Sequence, residues 1–361
     1  MSRAFDSSEL QRYLKTVAGA SARILKQEPL GDAGNQDIKG YGYGTPVLIE
    51  YEAEGVRRKA VLHTIKPGPF GHEDMSDRAQ SLLWEHGAFN RLPKHVRSID
   101  VGAFCKDRTA VSLGNAEEFF SLTEYGVGMP YAGDLERIRE TGAVTELDIR
   151  RADALCDYLV EIHRVKSDAS GLYARRIREL VGHSECIMGL VDSYPDMGGA
   201  WQKQLQDIEK LCIDWRWKLK SRGHRLRQVH GDFHPWNVLF SQETDLCLLD
   251  RSRGDWGEPA DDATCMTMNY VFFSLQRSEH LDGAFHDLFL RFWKRYLDST
   301  HDMEMLEIAA PFLVFRGLVM AHPVWYPHLS EAVRRKLFNF MMAVLHESVF
   351  EPAKVNQYCG T

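Results

Sequence analysis

The sequence changes character near residue 125, and this change limits the folds that the chain can adopt. Before it, short runs rich in β-branched and aromatic residues alternate with glycine-bearing turns, and one segment has helical periodicity. We predict a helix over residues 75–92 and strands over residues 22–30, 45–53, 58–65, 99–104 and 118–125. The first part should therefore be a small antiparallel sheet with one helix packed against it.

The second part is dominated by amphipathic helical segments. The first of them, residues 145–165, opens with Thr145 and Asp148, a pair that is typical of a capped helix start. Further helices are predicted near residues 172–190, 201–222, 262–278, 283–298, 304–321 and 331–349. This part should be a helical domain.

The segment between the two parts, residues 121–134, contains glycines and a proline that end a strand without starting a helix. We interpret this segment as a hinge. The chain is therefore predicted to have two domains, residues 1–125 and 126–361.

The composition argues against several classes of protein. With a net charge of -7 and a pI near 6.1, the 361-residue chain lacks the basic field that nucleic-acid binding usually requires. Its seven cysteines include no CxxC pair, which argues against a disulfide framework or a zinc site and favours a reducing, cytoplasmic location. The N-terminus has no apolar leader, and Arg316 interrupts the most apolar late stretch, so neither export nor membrane insertion is expected.

A polar loop lies between two apolar runs at residues 228–240, QVHGDFHPWNVLF. Asp232 and Asn237 are separated by four residues, and Asp250 ends the next apolar strand. Phosphoryl transfer from ATP needs a carboxylate that orients the acceptor hydroxyl and further oxygen ligands that hold Mg²⁺ against the phosphates. The catalytic loop of protein kinases has the same arrangement, although a glycine here replaces its arginine. The spacing therefore favours a phosphoryl-transfer site.

This loop and the segment after it resemble a known family. HGDFHPWNVLF followed by LLDRSRGDWGEPADDA is similar to the aminoglycoside phosphotransferase family, which includes choline kinases and other small-molecule kinases. The last element of the family pattern, G-x-P-x-x-D-x-A, is matched by Gly257, Pro259, Asp262 and Ala263. The resemblance implies an α+β, protein-kinase-like fold of two lobes. The small N-lobe with its antiparallel sheet would bind nucleotide, and the larger helical C-lobe would contain the catalytic loop and the acceptor site.

The resemblance also implies roles for the loop residues. Asp232 would be the catalytic base, or the carboxylate that positions the acceptor hydroxyl, because the largely dissociative transition state needs little proton removal before the bond breaks. Asn237 and Asp250 would hold Mg²⁺. His230 is expected to be structural, hydrogen-bonding the backbone or a carboxylate such as Asp262.

The glycine-rich segment at residues 31–44, GDAGNQDIKGYGYG, lies where a kinase-like lobe has its phosphate-binding turn. By the resemblance, Gly34, Asn35 and Gly42 would contact the nucleotide, although such a segment can also be only a flexible hairpin. In the hinge, backbone groups of Glu124 and Tyr125 would bind adenine. ATP and Mg²⁺ are the expected cofactors.

Two residues compete for the role of the phosphate-binding lysine, His63 and Lys66. They would face opposite sides of a strand because an odd number of positions separates them. Lys66 has the required charge and is preferred, although Pro67 directly after it indicates that the strand ends there.

Glu85 is the expected helix partner of this lysine. Leu82, Leu83 and Phe89 should supply a buried face that points the helix at the sheet. The alternative is an ordinary surface glutamate.

We therefore predict an ATP-dependent phosphotransferase that moves the γ-phosphate to a hydroxyl of a small molecule, such as an aminoglycoside, an amino alcohol or a sugar. Because most of the excess acidic charge falls in the second part of the chain, a cationic acceptor is favoured. Arg251 and Arg253 could contact phosphate or a carboxylate substrate. Alternatively, they could pair with Asp255, Asp261 or Asp262.

Three alternatives remain open, and one of them is a helical structural protein in which the polar loop occurs by chance and ATP does not bind. A protein serine/threonine kinase uses the same chemistry, but the chain has no A-P-E segment and no obvious activation loop. A non-catalytic nucleotide-binding scaffold would be expected to have lost Asp232, Asn237 or Asp250, and all three are present. The one feature that supports a scaffold is that either His63 or Lys66 could occupy the position of the phosphate-binding lysine.

Overall fold

A computed structural model describes residues 7–30, 44, 46–69 and 71–360 of the chain. The chain divides into two units, Met1–Thr123 and Glu124–Thr361. Among the described residues, no helix combines the length and the apolar character that crossing a bilayer requires.

The described part of the first unit combines helices with short antiparallel strands. Its elements are α1 (Ser7–Ala18), β1 (Arg23–Pro29), β2 (Val47–Ala53), β3 (Val56–Leu62), α2 (Met75–Phe89), β4 (Gly102–Phe104) and β5 (Ala110–Ser112). The first three strands form one antiparallel sheet in the order β1-β2-β3, and β4 pairs with β5 separately. Glu54 and Gly55 connect β2 to β3 with φ angles of 53° and 74°. Two positive φ values are typical of a type I′ turn, whose twist matches that of the strands it joins.

The helix that buries the face of this sheet is α1, which the strand and helix predictions do not include. Leu10 and Leu14 lie four positions apart on one face of α1 and form a buried cluster with Ile49 and Tyr51 of β2. The apolar residues of β2 alternate along the strand, so every second side chain points at this helix.

The helix predicted over residues 75–92 is confirmed by α2, but its predicted buried face is wrong. Leu82, Leu83 and Phe89 are only half-buried, and no residue of α2 is buried. Helical periodicity predicts which side of a helix is apolar, whereas the depth of burial depends on what packs against that side.

The strand predicted over residues 118–125 is also wrong. Residues 116–127 form neither helix nor strand, and Phe120, Leu122 and Tyr125 are 92%, 93% and 90% exposed. A strand needs a neighbour that completes its backbone hydrogen bonds. Among the described residues, this segment pairs with no strand.

The second unit is mainly helical. Its helices are α3 (Tyr131–Thr141), α4 (Glu146–His163), α5 (Ser170–Gly182), α6 (Ile187–Ser193), α7 (Gly199–Leu219), α8 (Pro259–Ser278), α9 (Gly283–Thr300), α10 (Glu304–Ile308), α11 (Ala310–Ala321), α12 (Glu331–His346) and α13 (Val355–Cys359), with short 3₁₀ turns at Gly223–Arg225 and Pro352–Lys354. Its strands are β6 (Met129–Pro130), β7 (Arg227–Gln228), β8 (Val238–Gln242), β9 (Asp245–Leu248) and β10 (Trp256–Gly257). They form one antiparallel sheet in the order β6-β8-β9 and a separate antiparallel pair of β7 and β10. The α+β class is confirmed.

The predicted capping pair at the start of α4 is confirmed. Oγ1 of Thr145 accepts a hydrogen bond from the backbone N–H of Asp148 at 3.3 Å, and Oδ2 of Asp148 accepts one from the backbone N–H of Thr145 at 2.6 Å. Each side chain satisfies a backbone donor that has no partner within the helix.

The central element of the second unit is α8. Of its 20 residues, 16 are buried, because it packs against α3, α9 and α11. Glu258 caps its N-terminus and Pro259 occupies its first turn. The same turn contains Asp261 and Asp262, so an apolar helix presents two carboxylates at one end.

Candidate active site

The predicted catalytic loop, residues 229–237, connects β7 to β8 and is held by the first turn of α8. The backbone N–H groups of His230 and Gly231 donate to the two carboxylate oxygens of Asp262, over 2.8 and 2.7 Å. Gly231 has a φ of 86°, which L side chains rarely adopt. A Cβ at this position would also lie 3.2 Å from the Cβ of Arg253. The loop therefore needs a glycine between the histidine and the aspartate.

A buried histidine holds the carboxylate that fixes this loop. Nε2 of His163, on α4, lies 3.1 Å from Oδ2 of Asp262, and Nδ1 of His163 lies 2.7 Å from the hydroxyl of Tyr296. Burial favours the neutral acid, but His163 and the two backbone N–H groups outweigh burial and hold the pKa of Asp262 below its usual range. Asp262 is thus an ionised, buried acceptor at neutral pH. The catalytic loop takes its position from α4 and α8.

His230 has a structural position in the loop. It is buried, its Nδ1 accepts a hydrogen bond from the backbone N–H of Asp232 at 3.3 Å, and the edge of its ring packs near Phe233. The predicted link to Asp262 exists, but it runs through the backbone N–H of His230 and not through the imidazole.

Acidification is expected to destabilise the protein through Asp262. The pKa of an aspartate in an unfolded chain is about 4, and the folded pKa is lower, so Asp262 contributes stability above pH 4 that is lost as the pH falls further. For Asp262→Asn we expect the free energy of unfolding at neutral pH to fall by about 2–3 kcal/mol. As the pH is lowered, the free energy of unfolding of this variant should then decrease less than that of the unmodified protein. Urea unfolding between neutral pH and about pH 3 measures both effects. The exposed-site variant Asp245→Asn should follow the unmodified protein. If the free energy of unfolding falls equally with pH in Asp262→Asn and in the unmodified protein, Asp262 does not cause the loss of stability in acid.

Asp232, the predicted catalytic carboxylate, is paired with a buried arginine. Arg316, on α11, donates from Nη1 to Oδ1 of Asp232 and from Nη2 to Oδ1 of Asp261, each over 2.7 Å. Its side chain is 6% exposed. Burial raises the pKa of Asp232, but the charges of Arg316 and Arg253 and the hydrogen bond from Arg316 outweigh burial and hold this pKa below its usual range. Asp232 is therefore ionised at neutral pH.

A second histidine faces the same carboxylate. Nε2 of His234 lies 3.6 Å from Oδ2 of Asp232. Burial lowers the pKa of His234 and outweighs the attraction of Asp232. Because the usual pKa of histidine is about 6.5, the imidazole of His234 is neutral at pH 7. Oδ2 of Asp232 thus lies near a neutral ring, while Arg316 occupies Oδ1.

Asn237 and Asp250, the predicted metal ligands, flank the β8–β9 hairpin. Nδ2 of Asn237 donates to the backbone oxygen of Asp232 at 3.1 Å, and the backbone oxygen of Asn237 accepts from the residue before Asp250 at 2.9 Å. Asp250 is exposed and has a φ of 51°. Since Val238 pairs with Leu248 across the hairpin, the antiparallel ladder brings the two chain segments side by side.

These two residues have the chemistry of a magnesium site. The loop hydrogen bond uses the amide nitrogen of Asn237 and leaves its amide oxygen as the group that can bind a cation. Mg²⁺ prefers oxygen ligands and is usually bound by one or two carboxylates together with substrate phosphates. Among the described residues, no group of three His, Cys, Asp or Glu side chains could hold a metal ion. The carboxylate of Asp250 and the amide oxygen of Asn237 are oxygen donors of the type that Mg²⁺ prefers.

Arg316 and Asp261 also lie at this loop, although the sequence predictions give Arg316 no role there and name Asp261 only as a possible partner of Arg251 or Arg253. In the sequence, Arg316 stands out only because it interrupts an apolar stretch. That interruption is itself the signal, because all but one of the residues of α11 are buried. A single arginine in such a helix must find a buried carboxylate, since burying an unpaired charge is very unfavourable.

In the first unit, Glu85 contacts His63, one of the two candidates for the phosphate-binding position. Nδ1 of His63 lies 3.6 Å from Oε2 of Glu85. β3 ends at Leu62, so neither His63 nor Lys66 lies in a strand, and the expectation that they face opposite sides of one is wrong. Lys66 is exposed, and its role remains a prediction.

The other predicted nucleotide-binding residues are not brought together by the described structure. Gly34, Asn35 and Gly42 lie outside the described residues. Glu124 and Tyr125 are exposed and begin the second unit. Their contacts with a nucleotide remain predictions.

A comparison with protein families assigns the region that contains this site to one family. A model of the phosphotransferase enzyme family, APH, matches residues 72–298, which include the predicted catalytic loop, Asp250 and Asp262. The chain belongs to this family. The resemblance stated from the loop residues is confirmed, and so is the two-lobed, kinase-like fold class that this phosphotransferase family implies.

This phosphotransferase-family chain is also similar to individual proteins and solved structures, at low sequence identity. A probable serine/threonine-protein kinase of Arabidopsis thaliana, PBL24, is 24% identical over 205 residues, which are 52% of this chain and 50% of that protein. The chain thus spans about half the length of this curated relative. The structure of the aminoglycoside phosphotransferase APH(2'')-Ib with ADP is 14% identical, with coverage of 95% of this chain and 97% of that chain and a TM-score of 0.33. The choline kinase LicA from Streptococcus pneumoniae is 12% identical, with coverage of 93% and 97% and a TM-score of 0.34.

Proposed function

We propose that this protein transfers the γ-phosphoryl group of ATP to a hydroxyl group of a small molecule. One observation supports this most directly: an ionised Asp232 lies beside Arg316 in a loop that also holds Asn237 and is hydrogen-bonded next to Asp250. All the loop residues and Asp250 fall inside the region that matches the phosphotransferase family. Phosphoryl transfer depends mainly on positioning and electrostatic stabilisation, which such a set of groups can supply.

Asp232 would position the acceptor hydroxyl and would receive the hydroxyl proton only as the new bond to phosphorus forms. A carboxylate whose pKa is held below the usual range is a weak base, and an alcohol is a much weaker acid. Asp232 therefore accepts a hydrogen bond from the hydroxyl. It takes up the proton as the bond from the acceptor oxygen to phosphorus forms and the bond from phosphorus to the leaving ADP oxygen breaks. Oδ2, near the neutral ring of His234, is the oxygen for this contact because Oδ1 is bonded to Arg316.

Two groups would hold Mg²⁺ against the phosphates, the amide oxygen of Asn237 and the carboxylate of Asp250. When bound, ATP supplies the phosphoryl group and Mg²⁺ neutralises charge on its oxygens. The residues proposed to bind the nucleotide are Lys66, Glu85, Gly34, Asn35, Gly42, Glu124 and Tyr125. The contact of Glu85 with His63 supports His63 as an alternative to Lys66.

A protein serine/threonine kinase is the second candidate, because the curated Arabidopsis thaliana relative carries that description. The absence of an A-P-E segment from the sequence favours the small-molecule acceptor. Incubation with labelled ATP and a cell extract separates the two, since a protein kinase labels proteins and a small-molecule kinase labels only low-mass products.

The first experiment is a measurement of Mg²⁺-dependent ADP release from ATP in the presence of hydroxyl compounds of each class: aminoglycosides, amino alcohols, sugars, hydroxy acids and sugar phosphates. ATP binding is measured in parallel. Release that requires both Mg²⁺ and one acceptor class supports the proposal. ATP binding without release in the presence of any acceptor supports the scaffold function instead.

Asp250→Asn is expected to raise the Mg²⁺ concentration that gives half-maximal ADP release by about tenfold or more, because the variant loses a charged ligand oxygen. Titration of Mg²⁺ at fixed ATP and acceptor measures this change. Asp245→Asn removes an exposed carboxylate from the start of the adjoining strand and should leave the titration unchanged. Identical titrations for both variants would exclude Asp250 as a metal ligand.

A further inference from the structure

Arg253 lies against the catalytic loop with an unused hydrogen-bond donor. A Cβ at Gly231 would lie 3.2 Å from the Cβ of Arg253, and the guanidinium carbon of Arg253 lies 4.8 Å from the ring centre of Phe315. Nη1 of Arg253 is buried, and among the described residues it has no hydrogen-bond partner. Nε of Arg316, whose guanidinium lies 4.5 Å from the same ring centre, is also buried without a partner in the described structure.

The neighbouring Arg251 differs in this respect. Its Nε and Nη2 donate to the backbone oxygen of Val229 at 3.0 and 2.8 Å, and its Nη1 lies 3.1 Å from Oδ1 of Asp255. For Arg251, the structure therefore confirms the pairing alternative. Nη1 of Arg253 has no such partner among the described residues. For Arg253, the alternative that remains is a contact with a phosphate or carboxylate group.

Two arginines lie near Asp232, although the second unit as a whole has an excess of acidic residues. Both Arg253 and Arg316 are close enough to help hold the pKa of Asp232 below its usual range. Elsewhere in this unit, several carboxylates are already paired with arginines: Asp153 with Arg291, Asp157 with Arg295, Asp148 with Arg137, and Glu258 with Arg225. Such pairs are neutral, so the net acidic charge of the whole unit is no guide to the charge of a group that binds at Arg253.

A buried guanidinium N–H without a partner is unfavourable, and an anion with oxygen acceptors is its best ligand. We propose that the acceptor carries a carboxylate or phosphate group near its reactive hydroxyl, and that Arg253 binds this group. Hydroxy acids and phosphorylated polyols have this chemistry. The inference rests on the proposed phosphotransferase function, and it replaces the cationic acceptor favoured by the charge of the whole unit.

Matched acceptors test the inference. The pairs are glycerate against glycerol, gluconate against glucose, and glucose 6-phosphate against glucose, with choline and kanamycin as cationic compounds. We expect at least one anionic member to give ADP release with a kcat/KM about tenfold or more above its neutral partner. The carboxylate and phosphate pairs distinguish the two kinds of anion.

Variants at Arg253 then assign the contact. Arg253→Met is expected to raise KM for the anionic acceptor by about tenfold or more, with a smaller change in kcat, and Arg253→Lys should restore part of the affinity. Arg335→Met, at an exposed arginine of α12, is the matched control and should leave KM unchanged.

The outcomes separate this inference from the function on which it rests. If neutral or cationic acceptors give the highest kcat/KM, or if Arg253→Met changes KM for the anion less than about twofold, the inference is wrong and the phosphotransferase function stands. If ATP binds but no acceptor of any charge stimulates ADP release, both fail. The acceptor panel tests the inference with the unmodified protein even if Arg253→Met does not fold.

Discussion

Asp232→Asn is expected to lower kcat for acceptor-dependent ADP release by about 10²–10⁴-fold, the usual contribution of a positioned acid–base group. The amide keeps an oxygen that can accept the hydrogen bond from Arg316, so the loop should retain its conformation. It cannot take up the proton that the hydroxyl loses as the new oxygen–phosphorus bond forms. The KM for ATP should change little, because Asp232 is proposed to contact the acceptor.

The measurement is steady-state ADP release with the best acceptor of the panel, together with ATP binding at equilibrium. Asp245→Asn is the matched control, since it makes the same change at an exposed position. A rate for Asp232→Asn within about tenfold of the unmodified enzyme would be too small an effect for a residue that receives the proton. The site would then have to use another carboxylate.

Arg316→Met is expected to lower the free energy of unfolding by about 3–5 kcal/mol, because the half-buried carboxylates of Asp232 and Asp261 lose the buried guanidinium that donates hydrogen bonds to both. Burial already raises the pKa of Asp261 even with Arg316 in contact. Without the arginine, Asp261 should take up a proton more readily, so the loss of stability should be smaller at mildly acidic pH. The activity should fall as well, because Oδ1 of Asp232 loses its only charged hydrogen-bond donor among the described residues.

Urea unfolding of Arg316→Met, Asp261→Asn and the double variant measures this network as a double-mutant cycle. Adding Asp261→Asn to Arg316→Met should recover part of the lost stability, since it removes one unpaired carboxylate. Arg335→Met should change the stability by less than about 0.5 kcal/mol, because it removes only an exposed ion pair. If the effects of the two substitutions simply add, Arg316 and Asp261 are not coupled in the way the contacts indicate. Arg316→Lys retains the charge and should be intermediate.

Local sequence signals predicted the elements whose stability depends on near neighbours in the chain. Thr145 and Asp148 cap the start of α4 because their partners are three residues apart. The three-stranded sheet is similarly predictable, since the alternation in β2 and the turn at Glu54 and Gly55 are properties of short segments. Around the predicted catalytic loop, the spacing of Asp232 and Asn237, the strand that ends in Asp250 and the segment from Gly257 to Ala263 together indicated the family.

Burial was predicted less well, because it depends on what packs against an apolar face. The apolar residues of α2 at Leu82, Leu83 and Phe89 stay half-buried, whereas α1 supplies the buried residues Leu10 and Leu14. The segment at residues 118–125 has the composition of a strand, yet no ladder partner occurs for it among the described residues. Composition indicates that a segment can be buried or paired, and only its neighbours in space decide whether it is.

The sequence by itself determined the family and located the loop that contains Asp232. The tertiary structure alone decided the environment of that aspartate. Arg316 reaches Asp232 across 84 positions of the chain, and His163 reaches Asp262 across 99. Ion pairs and hydrogen bonds of this kind set the protonation states of the site, and they join residues whose separation in sequence has no periodicity. Their existence depends on how α4, α8 and α11 pack together, which is a property of the folded chain.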